Sequence, residues 1–371
     1  MRVFAWLVRC GVVLFALQHV SLATPRVTLG PPQTVETQHP VICVHTRLTD
    51  EVETWKVQRN WAMVREMGAS TAVEFFPWPY IETSPGHYNW THPDRIIAHA
   101  ENQGITVLAR LGLVPAWARP PVNEKVTTFN YLTEDYYDEF AAFVGAFAER
   151  YGDRIGGIQV WNEPNLAHEW GGQPPDPEAY VTLLSMAYEA AKAADPDLLI
   201  LGGALAPTLE PEGSTNGMND LAFLARMYEA GAADYFDVLA AHTYGFRHTP
   251  EEEPDPEVVN FRRVELLREI MEQYGDGDKP VYITESGWND NPLWDRGIRP
   301  GQRIDYTLTA FQMVEDWPWA EHLCLWIFRQ PVDRFNRRDA HYALVTADFR
   351  VKPIYEAIQA YAHGQETPYT Q

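Results

Sequence analysis

The feature that most constrains the fold is an alternation, repeated eight times, of a short β-type run with a longer helical pattern. Strands that alternate with helices predict a parallel sheet, and eight such units are the number that closes a (β/α)8, or TIM, barrel. We therefore expect an α/β fold of this type. The eight β-type runs cover residues 41–44, 71–76, 105–111, 157–161, 198–202, 236–241, 280–285 and 322–328.

Helical patterns fill the gaps between these runs. Val57, Trp61 and Val64 recur at i, i+4 and i+7, the spacing of one helix face. Asp176-Pro177 and Asp255-Pro256 each place a capping side chain before a proline, which predicts that helices begin there. Glycines just past helical runs, Gly68 among them, predict where helices end.

The loops differ in length according to the direction in which they connect the elements. Helix-to-strand segments such as 68–70 and 102–104 are short, whereas strand-to-helix segments such as 112–132 and 329–350 are long. In a barrel, all the long loops emerge at the face where the strands end, which is where TIM barrels build their active sites. No linker or repeat interrupts the pattern, so we expect a single barrel domain over residues 41–364.

The two ends of the chain are predicted to lie outside the barrel. Residues 1–23 have a positive start, an apolar run and small residues near position 23, which is typical of a signal peptide. This predicts a secreted or periplasmic protein, and the alternative interpretation of the same segment is an uncleaved membrane anchor. Residues 24–40 then form a lead segment and residues 365–371 a C-terminal tail. Cys43 and Cys324 fall on predicted neighbouring strands, and we expect them to be buried free thiols.

The charge of the chain limits its partners. The formal net charge is −22 at pH 7, which disfavours nucleic acids and anionic membrane surfaces. A neutral glycan meets no such barrier. We expect no nucleic-acid partner, no membrane contact after signal cleavage, and a monomer.

Two glutamates stand where predicted strands end. Glu163 follows the fourth strand in the segment 159–165 (QVWNEPN), and Glu285 ends the seventh in the segment 281–288 (VYITESGW). Pro164 forces Glu163 into an extended conformation, and a carboxylate at the end of a run as apolar as 281–285 is costly unless it has a purpose. Two carboxylates at one barrel opening are the groups that glycosidic bond cleavage needs.

The pair of motifs, Trp-Asn-Glu-Pro-Asn and Thr-Glu-Ser-Gly-Trp, resembles the catalytic motifs of clan A glycoside hydrolases, with families 5 and 39 the nearest. The resemblance implies an O-glycosyl hydrolase that acts on oligo- or polysaccharides, with Glu163 as acid/base and Glu285 as nucleophile. It also implies retention of configuration by double displacement, with the two carboxyl groups about 5–5.5 Å apart. Glu285 must be ionised, which predicts a lowered pKa for this carboxyl.

The same resemblance implies further site residues. Asn162 would bind the sugar 2-hydroxyl, Tyr244 would orient the nucleophile beside His242, and Trp326 would form the floor under the sugar. Aromatic residues of the rim can stack on sugar faces. For that role we name Trp78, Trp117 and Trp288.

The family commonly carries an arginine on the second strand, where this chain has Val73-Glu74. Arg110 on the third strand or Arg47 after the first are the two candidates to replace it. Strict alternation along a strand also puts Asn162 and Glu163 on opposite faces, so the strand must curl or end between them.

Two other classes of function compete with the hydrolase. One is a carbohydrate-binding barrel without turnover, which the missing arginine favours and the two intact glutamates disfavour. The other is a barrel enzyme with metal or lysine chemistry. His168-Glu169 has no third ligand at suitable spacing, so we expect neither a metal nor a cofactor.

Overall fold

Eight parallel strands close into a barrel in a computed structural model of the chain, which confirms the predicted (β/α)8 architecture. Two further short strands pair as an antiparallel hairpin after the second barrel strand. The ten strands are β1 (Ile42–His45), β2 (Thr71–Pro77), β3 (Glu82–Ser84), β4 (His87–Tyr88), β5 (Thr106–Gly112), β6 (Gly157–Val160), β7 (Ile200–Leu205), β8 (Val238–Tyr244), β9 (Val281–Gly287) and β10 (Ala320–Leu325). Strands β3 and β4 form the hairpin, and the other eight pair in chain order until β10 meets β1.

Helices follow the barrel strands and cover the outside of the sheet. They are α1 (Thr54–Met67), α2 (Trp78–Ile81), α3 (Thr91–Asn102), α4 (Tyr137–Tyr151), α5 (Pro177–Ala194), α6 (Asp220–Glu229), α7 (Arg263–Gln273), α8 (Pro300–Asp316), α9 (Asp339–Tyr342) and α10 (Pro353–Ala362). Single 3₁₀ turns lie at Ala116–Ala118, Glu134–Tyr136, Gly152–Arg154 and Ala232–Tyr235.

The structure describes residues 29–119, 129–331, 339–367 and 369. The described residues from position 32 onward group into one compact unit. The predicted signal peptide, residues 1–23, lies outside the described residues and stays a prediction. None of the helices in the described ranges has both the length and the apolar character that a bilayer crossing demands.

The helix boundaries follow local sequence signals at most of the predicted positions. The Asp176 side chain accepts a hydrogen bond from the backbone N–H of Ala179, so it caps α5 as expected. Gly68 ends α1 at a φ of 93°, a left-handed conformation that favours glycine. The predicted helix start at Asp255 is wrong: Asp255 accepts from the N–H of Glu257 in a turn, and α7 begins only at Arg263.

Two apolar layers hold the barrel together. The larger lies between the sheet and the helices, and includes the buried residues Val57, Trp61 and Val64 of α1. A second, smaller cluster fills the inside of the barrel, with Val73 and Leu108 among its members. The alternation of side chains along each strand separates the two layers.

Cys43 and Cys324 belong to the inner cluster and are joined by a disulfide bond, so the expectation of two free thiols is wrong. The two residues are direct partners in the register between β1 and β10, where the barrel closes. The sequence placed them on neighbouring strands, but register was needed to bring them side by side. The bond links residues 281 positions apart in the chain.

We predict that Cys43 and Cys324 resist alkylation in denaturant until a reductant is added, because a disulfide leaves no thiolate to react. Peptide mapping without reductant should recover their two peptides as one linked species. In a Cys43→Ser variant, Cys324 should react without reductant, which is the matched control. Free alkylation of both cysteines in the unreduced native chain would contradict the bond.

Candidate active site

Glu163 and Glu285 meet at the end of the barrel where the strands finish, and His242 of β8 lies between them. The Nδ1 atom of His242 is 2.9 Å from Glu163 Oε1 and 3.8 Å from Glu285 Oε2. One oxygen of each carboxylate and this nitrogen all lie within 4.8 Å of one another. The structure therefore brings together the two glutamates that the sequence predicted as a pair.

The backbone around Glu163 explains how its side chain reaches the opening. Strand β6 ends at Val160, and Trp161 and Glu163 then take left-handed φ values of 70° and 44°, so the extended conformation predicted for Glu163 before Pro164 is wrong. The N–H of Glu163 donates to the carbonyl of Ala204 at 3.0 Å, which fixes the curled segment against β7. Side-chain alternation stops where the strand stops, so Asn162 and Glu163 both serve the site. Non-glycine residues hold such conformations only when their surroundings enforce them.

Of the two candidates for the arginine that the second strand lacks, Arg110 is the one that contacts Glu285. Its Nη1 donates to Glu285 Oε1 at 2.9 Å and to Asn162 Oδ1 at 2.8 Å. One guanidinium therefore links Glu285, which lies in β9, to Asn162, which follows β6. Its flat face lies 4.5 Å from the centre of the Phe75 ring on β2. The other candidate, Arg47, instead pairs with Asp50 at the surface.

Glu74, which lies on the second strand, binds the loop after β1 instead of Glu285. Its buried carboxylate accepts hydrogen bonds from the Thr46 hydroxyl and from the N–H groups of Leu48 and Thr49. Burial raises the pKa of Glu74 to about 7, although these donors oppose the rise. The contacts fasten the loop that follows β1, and so help to hold His45 at the end of that strand.

Glu285 is held by hydrogen bonds on both oxygens. The Tyr244 hydroxyl donates to Oε2 at 2.9 Å, while Arg110 donates to Oε1. The Nε2 of His45 lies 3.8 Å from the same Oε1. Donors to both oxygens fix the orientation of the carboxylate.

The charges of the site are strongly coupled. Burial raises the pKa of Glu285, while His242, Arg110 and the Tyr244 hydroxyl act against the rise. The net direction is upward, so the expectation of a lowered pKa is wrong. Its cause is desolvation: Glu285 is 7% exposed, and a buried carboxylate loses the water that stabilises its charge.

The two histidines respond in opposite directions. Burial lowers the pKa of His242, but the charges of Glu285 and Glu163 raise it by more. Burial and the charge of Arg110 hold the pKa of His45 well below its usual value, so His45 is neutral. Burial also raises the pKa of Tyr244, which keeps its hydroxyl protonated as a donor.

The predicted aromatic residues divide between the site and the core. Trp326 is half-buried and its ring lies 4.7 Å from that of His45, at the opening. Trp117 is half-buried, and its indole N–H donates to the carbonyl of Glu82. Trp78 and Trp288 are buried in the core, so they present no face to a sugar and the predicted contact is wrong for both.

Sequence reasoning missed two residues of the site, His45 and Glu169. His45 directly follows the predicted apolar run 41–44 and is the last residue of β1, and a polar residue at the end of an apolar strand is a signal that could have revealed it. Glu169 lies six residues after Glu163 in the same loop. Glu163, His168 and Glu169 each place one atom within 4.8 Å of the others, so the statement that His168-Glu169 lacks a third neighbour is wrong. The chain fold supplies that neighbour.

A cavity of about 180 Å³ opens beside these groups. Its lining includes Phe75, Arg110, Asn130, Asn162 and Glu169. Burial and the charge of Glu163 raise the pKa of Glu169, while Arg110 acts against the rise. The cavity thus shares Arg110 and Asn162 with the surroundings of Glu285.

Comparison with known proteins points to one group of enzymes. No model of a known protein family matches the chain. A curated β-xylosidase of Geobacillus stearothermophilus is 26% identical over 222 residues, which cover 56% of this chain and 42% of the relative. The chain thus spans about two fifths of the length of that relative.

Solved structures extend the comparison to the whole barrel. A family 39 glycoside hydrolase from Bacteroides cellulosilyticus WH2 has a TM-score of 0.70 at 22% identity, over 90% of this chain and 65% of that one. A GH5_18 structure from Streptomyces cattleya, in complex with GlcNAc, has a TM-score of 0.65 at 18% identity, over 90% and 83%. The resemblance to families 39 and 5 is confirmed at the level of the fold.

We predict that Arg110→Met raises the pKa of Glu285 further, because removal of a positive charge makes the carboxylate harder to ionise. Titration of side-chain carboxyl-¹³C glutamate by NMR measures this, with the Glu285 signal assigned from its loss in Glu285→Gln. Arg47→Met, which removes a half-buried arginine that pairs with Asp50 instead of Glu285, is the control and should leave the titration of Glu285 unchanged. A Glu285 pKa unaltered by Arg110→Met would contradict the assignment of Arg110.

Proposed function

We propose that the chain is a secreted retaining O-glycoside hydrolase that cleaves β-linked sugars, with Glu163 as acid/base and Glu285 as nucleophile. One observation carries the proposal: one oxygen of Glu163 and one oxygen of Glu285 lie within 4.8 Å of each other. Retaining glycosidases hold this pair about 5–5.5 Å apart, and inverting ones roughly 6.5–9.5 Å apart. The shorter spacing leaves no room for a water molecule between the carboxylate and the sugar.

In the first step, an oxygen of Glu285 attacks the anomeric carbon. The bond from that carbon to the leaving oxygen breaks, and the proton of Glu163 passes to the leaving oxygen. Arg110 and Tyr244 hold the attacking carboxylate in place. The sugar is then an ester of Glu285, and the leaving group departs as an alcohol.

In the second step, Glu163 accepts a proton from a water molecule whose oxygen attacks the same carbon. The ester bond breaks, Glu285 regains its charge, and the sugar leaves with its original configuration. Loss of the Glu285 charge in the ester favours ionisation of its neighbour, which prepares Glu163 to act as base. His242, 2.9 Å from Glu163, orients that carboxyl in both steps.

Two buried nitrogen atoms support a polar ligand at the opening. Within the described residues, Nε2 of His45 and Nε2 of His242 have no hydrogen-bond partner. Unpaired buried polar atoms are costly, and sugar hydroxyl groups both donate and accept hydrogen bonds. Trp326 beside His45 adds an aromatic face on which a sugar ring stacks.

The class of substrate follows from charge and from similarity. The net charge of −22 favours neutral glycans over acidic ones. β-Xylosides are the first substrates to test, because the curated relative is named a β-xylosidase. Secretion is supported by the disulfide, since such bonds persist in oxidising compartments. We propose a monomer without a nucleic-acid or membrane partner.

We predict that wild-type protein hydrolyses one or more 4-nitrophenyl β-glycosides, beginning with the β-D-xylopyranoside, and that Glu285→Gln and Glu163→Gln each lower kcat. The expected loss for the acid/base is about 10²- to 10⁴-fold, because 4-nitrophenolate departs without a proton but the water of the second step then lacks its general base. Azide added to Glu163→Ala should restore turnover and yield the β-glycosyl azide. With Glu285→Ala it should yield the α-anomer.

Glu149→Gln, which alters an exposed glutamate of α4, is the matched control and should keep wild-type activity. Activity that survives EDTA would agree with an active site without a metal. The rival, a carbohydrate-binding barrel without turnover, predicts that wild type binds sugars and hydrolyses none of the panel. That outcome would overturn the proposed hydrolase.

A further inference from the structure

Glu169 supplies a third carboxylate at the opening, and neither step of the proposed mechanism uses it. It lies in the loop after β6, with its side chain 27% exposed and beside that of Glu163. A glutamate held next to another carboxylate is unfavourable unless something offsets the repulsion. We therefore looked for a function of Glu169 that offsets this repulsion.

Hydrogen bonds to the backbone and to the side chain of Glu169 restrict its movement. The indole N–H of Trp161 donates to the Glu169 carbonyl at 3.0 Å, and the Glu169 N–H donates to the Leu166 carbonyl at 3.0 Å. Asn130, from the loop after β5, donates to Glu169 Oε2 at 3.1 Å and to the His168 carbonyl at 3.2 Å. A side chain fixed in this way loses little entropy when it binds a ligand.

The carboxylate keeps spare capacity to accept hydrogen bonds. An ionised carboxylate has about four acceptor positions, and Asn130 occupies one of them. The nearest approach of His168, 3.8 Å from Nε2 to Oε1, is too long for a hydrogen bond, and His168 is 70% exposed. Glu169 lines the cavity of about 180 Å³, so acceptor positions remain for an occupant of that cavity.

The cavity suits one sugar ring. Its volume corresponds to about six water molecules at ~30 Å³ each. Arg110 contributes donors and Glu169 contributes acceptors, while the Phe75 ring, which stacks on the Arg110 guanidinium, contributes an apolar wall. The Nε of Arg110 is buried and has no hydrogen-bond partner among the described residues. Donors and acceptors beside an apolar wall are the groups that recognise a polyhydroxylated ring.

We propose that Glu169 is a specificity-determining residue, whose carboxylate accepts hydrogen bonds from hydroxyl groups of a neutral sugar ring in this cavity. The proposal rests on the proposed glycosidase function and names the class of sugar that the site selects. With Glu285 close by, a sugar carboxylate would meet the negative charges of Glu169 and of the ionised nucleophile. Uronic acids are therefore disfavoured, and sugars with free neighbouring hydroxyls are selected.

The test compares Glu169→Ala and Glu169→Gln with wild type on the best 4-nitrophenyl glycoside of the panel and on its monodeoxy analogues. Loss of a hydrogen bond to a charged group predicts a fall in kcat/KM of about 10- to 100-fold for Glu169→Ala. With wild type, kcat/KM for at least one deoxy analogue should be lower than that for the parent glycoside by a similar factor. With Glu169→Ala, kcat/KM for that analogue and for the parent should be about equal. Glu149→Gln is the matched control.

Equal losses for the parent glycoside and for every deoxy analogue would overturn the proposal, because Glu169 would then act only through Glu163 or through the loop. Glu169→Gln keeps the size of the side chain, and thermal melting verifies that both variants are folded. Non-additive losses support the proposal. Removal of either the carboxylate or the sugar hydroxyl already breaks their hydrogen bond, so removal of the second partner costs little more.

Binding of free D-xylose and D-glucose, measured by calorimetry, separates this proposal from the proposed function. If wild type binds these sugars but hydrolyses no glycoside, and Glu169→Ala binds them more weakly, the proposed hydrolase is overturned and the sugar contact of Glu169 is retained. Hydrolysis with additive losses would retain the hydrolase and overturn the role of Glu169. If wild type neither binds nor hydrolyses any of these sugars, both are overturned.

Discussion

The structure depends on the close approach of two like-charged groups at one end of the barrel. The carboxylates of Glu163 and Glu285 resist being placed within 4.8 Å of each other, and burial of Glu285 adds to the cost. Arg110, Tyr244 and His242 offset that cost by direct contacts with the two carboxylates. The three residues come from two different strands, so the closed barrel is what assembles them. An isolated part of the sheet would leave the charges without partners.

The local backbone completes what the barrel begins. Strand β6 stops at Val160, and the left-handed residues Trp161 and Glu163 turn the chain so that consecutive side chains serve one opening. Such conformations cost about 1–3 kcal/mol each and persist where neighbouring structure enforces them. Here the bond from the Glu163 N–H to Ala204 provides that constraint. The same curl starts the loop that carries Glu169, so one irregularity positions both the proposed acid/base and its neighbour.

Much of this was predictable from the sequence, and the failures have identifiable physical causes. The eight strands and the end-of-strand positions of Glu163 and Glu285 follow from apolar runs and from loop length, which are local signals. The disulfide between Cys43 and Cys324 depended on register across the closure of the barrel, which periodicity does not specify. Trp78 and Trp288 were assigned to the opening because loops lie at the surface, yet their rings turn inward and pack in the core. Arg110 and Arg47 were both candidates to replace the missing arginine, because a positive charge in the sequence does not give its distance from Glu285. The pKa of Glu285 was misjudged because desolvation depends on burial, which a motif does not reveal.

The account predicts a covalent bond between a sugar and Glu285, and trapping of that ester tests it most directly. A 2-deoxy-2-fluoro β-xyloside or β-glucoside with a good leaving group slows the second step more than the first, so the ester should accumulate. Mass spectrometry of digested protein should then find the fluorosugar on the peptide that contains Glu285, with no adduct in Glu285→Gln. An active wild type that forms no adduct and releases a product of inverted configuration would contradict the account.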